Sequence, residues 1–142
     1  MTATPVDASG RLAWVRAALL VGVVYFLIGR VFTLPSSHVH VWRLAAWVVS
    51  GGAYAAHIAY EHFRLRNSPR LAALHVALAV AIGAIALAVA GMIHSLSTTS
   101  AVRPAWLLAL VIWPAVTAVP AFLGALVAGA VLARLARSAD AK

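Results

Sequence analysis

The residues best equipped for chemistry lie in the stretch HIAYEHFRLRNSPR, positions 57–70. It holds Glu61, the only acidic residue between Asp7 and Asp140, with His57 and His62 on either side and Arg64, Arg66 and Arg70 close behind. On a helix, His57 and Glu61 are four apart and share a face. His62 turns away from His57 by roughly 140° at 3.6 residues per turn. His75 follows one turn into the next apolar segment, so His57, Glu61 and His75 are expected to converge at one end of two neighbouring antiparallel helices. Ionisable groups inside a membrane span are costly and mark candidate sites.

Three chemistries fit this set. In the plainest, Glu61 pairs with Arg64 or Arg66 at the membrane interface and the histidines bond to neighbouring backbones or hydroxyls. In the second, His57, Glu61 and His75 form a two-His-one-carboxylate set of the kind that holds zinc or non-haem iron, although the HExxH order is absent. In the third, histidines serve as axial ligands of a haem or donate to a quinone or pigment. Helices 8–10 Å apart leave little room for a haem between His57 and His75. The expected cofactor is therefore none, with metal or haem as the alternatives.

A second polar group comprises Arg30, His38, His40, Arg43, His94 and Arg103. No acid balances it, which suits lipid headgroups or a weak anion site. No Ser-His-acid set, phosphate-cradling loop or dinucleotide glycine pattern occurs, so an enzyme is not expected.

The elements that position these residues follow from composition. Of 142 residues, 64% are apolar and 10% charged, against about 45–50% and 25% in soluble domains. The solvent for most of the chain is lipid. A spanning helix needs about 20 mostly apolar residues. Four segments qualify, at about 14–34, 42–63, 70–94 and 104–136, provided that Arg16, Arg30 and Arg43 snorkel toward headgroups. The expected fold is an all-α integral membrane protein, an up-down antiparallel bundle of four transmembrane helices in a single domain. Arg11 and Arg16 before an apolar run fit a signal peptide in order, but Arg30 follows at once with no small-residue cleavage site, so the first segment reads as an uncleaved span.

The fourth segment is long. Pro104 to Leu135 would extend about 48 Å, more than the hydrocarbon core of about 30 Å. Pro114 and Pro120 each remove a backbone bond, so a kink is expected, with residues 105–112 lying along the outer surface. Small residues at Ala79 and Gly83, at Gly51 and Gly52, and at Ala125, Gly129 and Ala133 are expected to let helices approach closely. Trp14, Trp42, Trp47, Trp106 and Trp113 suit interfacial belts.

Charge sets the topology. Arg11, Arg16, Arg64, Arg66, Arg70, Arg134, Arg137 and Lys142 fall on one side, eight against the three of Arg30, Arg43 and Arg103. The positive-inside rule places the eight, and both termini, in the cytoplasm. The net charge of +8 then reflects topology and anionic lipid, and nucleic-acid binding is not expected. Cysteine is absent, which excludes disulfides and thiolate sites. The composition suits a bacterial cytoplasmic (inner) membrane. The role expected is a non-catalytic accessory or structural subunit packing against itself or other membrane subunits in the bilayer. The alternative is a membrane protein that binds a metal, haem, quinone or pigment, or lipid, through His57, Glu61 and His75.

Overall fold

In a computed structural model, which describes residues 8–99 and 104–140, the chain forms four helices. They are α1 (Ala8–Val31), α2 (Val39–Ala59), α3 (Pro69–Thr99) and α4 (Pro104–Asp140), with a π-helical turn, Tyr60–Arg64, extending α2. Among the described residues there is no strand.

The helix-breaking chemistry lies where the chain turns. The π turn closes with the Leu65 amide donating to the Tyr60 carbonyl. Arg66 then takes a left-handed conformation, φ 51°, and the Asn67 amide donates back to the Glu61 carbonyl at 3.2 Å. This resembles a Schellman closure, one residue wider because of the π turn. Ser68 caps α3, its Oγ accepting from the Leu71 amide and its carbonyl from Ala72, and Pro69 takes the first helical position, where its missing N–H costs nothing.

α3 is the central helix. Its Ala72, Ala73, Ala77, Ala79, Ala84 and Ala88 are buried, and their small side chains let α1 close on one flank and α4 on the other. Gly83 on α3 faces Gly22 and Tyr25 on α1, where an added Cβ would meet Tyr25 Cβ at 2.6 Å and the Gly22 carbonyl at 3.0 Å. Gly129 on α4 sits on Pro69, at 3.2 Å on the same measure. Ala125 is buried in a core with Ile58, Ala73 and Val76.

α2 is the exception. Only its last turn, at His57 and Ile58, is buried. Upstream, the Tyr54 hydroxyl donates to the Ala121 carbonyl of α4, an approach that Gly124 permits. Short connections suggest that sequential helices pack side by side, yet α3 meets α1 far more extensively than α2. Gly51 and Gly52 have nothing within 4 Å of an added Cβ.

Three helices are long and apolar enough to cross a membrane: α1, α3 and α4. α2 is not among them, because Arg43, His40, His57 and the Ser50-Gly51-Gly52 run dilute its 21 residues. α4 continues through Pro114 and Pro120 for 37 residues, about 55 Å. Near its start, Trp106 packs on Gly91 of α3. Trp106 thus serves packing, whereas Trp47 and Trp113 are exposed.

Candidate functional site

Glu61 is the centre of the site. It is fully buried, with His57 at 3% and His75 at 4% exposure. The π turn carries Glu61, the last turn of α2 carries His57, and the second turn of α3 carries His75. The three residues that the sequence groups together are therefore brought together.

Glu61 Oε2 accepts two hydrogen bonds. One comes from Asn67 Nδ2 at 2.6 Å, the other from His75 Nδ1 at 3.0 Å, which requires the Nδ1-protonated ring. Oε1 faces His57 Nε2 at 3.6 Å, beyond hydrogen-bond reach. Among the described residues, neither His57 nitrogen nor Oε1 has a hydrogen-bond partner. Buried polar atoms seldom stay unpaired, so this side of the node is chemically unfinished.

Two participants escape the sequence pattern. Asn67 is the chain's only side-chain amide, and its singularity beside Glu61 is a signal that turn chemistry alone obscures. Trp14 of α1 stacks on the His75 ring, centroids 4.3 Å apart and planes 4° from parallel. Nothing local marks Trp14, because the contact joins positions far apart in the chain. Together these contacts tie α1, α2, the turn and α3 into one node.

The expected pairing of Glu61 with Arg64 or Arg66 is not found among the described residues, where the ion pairs of Glu61 are with His57 and His75. The π turn and the reversed Arg66 send both guanidinium groups to exposed positions. His62 lies off the node, edge-on to Phe63 at 4.9 Å. Nor do His57, Glu61 and His75 form a metal cage. The histidines address different carboxylate oxygens, and no group of three or more such side chains among the described residues could hold an ion. Glu61 itself fills the space between the imidazoles that a haem would need.

Two hollows flank the node. A groove of about 600 Å³ between α1 and α2 has Arg16, His57 and Tyr60 at one end and Leu20, Val24 and Ala53 toward the other. A hollow of about 520 Å³ on the opposite flank is lined by Trp14, Asn67, His75 and leucines.

In the second polar group, Arg30, His38, His40, Arg43 and His94 are exposed at the opposite end of the bundle. Arg103 lies outside the described residues. His38 adopts φ 53° ahead of α2, and Phe32 packs on Trp42 across the loop. No protein-family model, curated protein or solved structure matches the chain.

Proposed function

We propose that this protein is a non-catalytic subunit of a bacterial cytoplasmic membrane that assembles with itself or with a larger membrane complex. In this reading all four helices span, both termini are cytoplasmic, and α4 bends at Pro114 and Pro120 to fit its length to the bilayer. α2 crosses as a helix that is less apolar than its neighbours because a partner, rather than lipid alone, covers it.

The observation that carries the reading is the state of α2. Gly22 and Gly29 of α1, Gly83 and Gly91 of α3, and Gly124 and Gly129 of α4 are taken up by contacts within the chain. On α2, Gly51 and Gly52 are open, and Leu44, Trp47 and Val48 are exposed, Trp47 to 79%. Small residues are what let helices associate closely in lipid. The node then acts as an anchor, fixing the end of α2 while its remaining length stays available.

The chain is free of cysteine, so Gly52→Cys gives a single reactive position. Cross-linking in native membranes is expected to join the Gly52→Cys chain to a second copy or to a fixed partner, and to leave Val127→Cys, which faces outward from α4, unjoined. Equal, negligible yields at both positions would remove the assembly role.

A further inference from the structure

We infer that the groove between α1 and α2 is a binding site for one anionic membrane phospholipid. The phosphate would lie at Arg16, with an acyl chain along Leu20, Val24 and Ala53. The inference rests on the membrane reading above but not on the assembly role.

Three observations meet there. The groove, about 600 Å³, falls within the range of small-molecule sites and is graded along its length. Its polar residues, Arg16, His57 and Tyr60, share one end, and its apolar wall runs away from them. This is the form of an amphiphile.

His57 is the second observation. Its ring is 97% buried and walls the polar end of the groove, with Nε2 turned to Glu61 Oε1 at 3.6 Å. The exposed guanidinium of Arg16 at that end is the group left to meet the phosphate.

Charge supplies the third. Among the described residues Arg16 has no acidic partner, since both ion pairs are made by Glu61. A guanidinium matches phosphate with two parallel N–H donors. The Arg16 end of the groove is also the arginine-rich end of the bundle, where positive side chains meet anionic headgroups. A neutral ligand would leave Arg16 unused, and a soluble anion would leave the apolar wall uncovered.

The test is native mass spectrometry of the full chain, delipidated in detergent and titrated with phosphatidylglycerol or with phosphatidylcholine of the same acyl chains. One phosphatidylglycerol per chain is expected to be retained, about tenfold more tightly than phosphatidylcholine. Arg16→Gln, at an exposed position that leaves folding intact, should remove that preference. Ala53→Leu, which fills the groove, should weaken both lipids. Arg43→Gln, at the far end, should change neither. Equal retention of the two lipids, an unchanged preference in Arg16→Gln, or an equal loss in Arg43→Gln would overturn the site. Sedimentation of the chain with membranes is measured alongside. If it sediments normally while the lipid preference fails, the site alone is refuted and the membrane reading stands.

Discussion

A carboxylate buried among an amide and two imidazoles depends on those partners, and they on it. Removing one member of a buried charged pair typically costs about 3–5 kcal/mol, because the groups left behind are desolvated and unpaired. Glu61→Ala would leave Asn67 Nδ2 and His75 Nδ1 without their acceptor, so a loss in that range is expected, read as a lower melting temperature in detergent. Asn67→Ala removes one donor to a charged acceptor and should cost about 1.5–3 kcal/mol. His62→Ala, off the node, should stay within about 0.5 kcal/mol. The ranking is the test: were Glu61 only an exposed partner of arginine, its loss would match that of a surface pair, about 0–1 kcal/mol, and would fall level with His62→Ala.

At the scale of the element, the turn and the helix contacts respond to different substitutions. Arg66 holds φ 51°, a conformation that costs a non-glycine residue about 1–2 kcal/mol. Arg66→Gly is expected to be neutral or to stabilise by up to about 1 kcal/mol, whereas Arg66→Val should destabilise, its branched Cβ being worst suited to that region. Equal melting temperatures for the two would refute the strained closure. Along α3, Gly83→Ala forces a Cβ against Tyr25 and the Gly22 carbonyl, and overpacking of this kind costs about 1–3 kcal/mol. Gly51→Ala meets open space and should leave monomer stability unchanged or slightly raised, since alanine favours a helix over glycine by up to about 1 kcal/mol. Thermal unfolding in detergent separates the two. Equal losses at positions 83 and 51 would show that α2 is packed where the structure leaves it open.

For the whole molecule the question is orientation. In the proposed orientation, which follows the eight-to-three division of basic residues, the turn at Ser68 would be cytoplasmic and the end of α3 outside. Single cysteines at Ser68 and Ser97 should then react with an impermeant thiol reagent from opposite sides, Ser68 only after the cytoplasmic face is opened. Labelling of Ser68 in intact cells would reverse the topology and would place the proposed phospholipid site in the outer leaflet.

The four helices and the convergence of His57, Glu61 and His75 were determined by the sequence alone. Each depends on local rules: apolar length, and the four-residue spacing that puts two side chains on one face. The partners of Glu61 were not legible in this way. The basic residues nearest in sequence, Arg64 and Arg66, are turned outward by a π turn and a left-handed residue, while Asn67 and His75 are turned inward. Trp14 reaches His75 only because α1 packs on α3. In a soluble helix an apolar stripe marks the face that meets the core. Here α1, α3 and α4 are apolar nearly all round, as suits lipid, where lipid and protein neighbours are alike to a leucine, so periodicity carries no record of which face meets which helix. Only the tertiary structure decides that α3 lies between α1 and α4, that Gly22, Gly29, Gly83, Gly91, Gly124 and Gly129 are consumed inside the chain, and that α2 is held by one end with its own glycines and a graded groove left open.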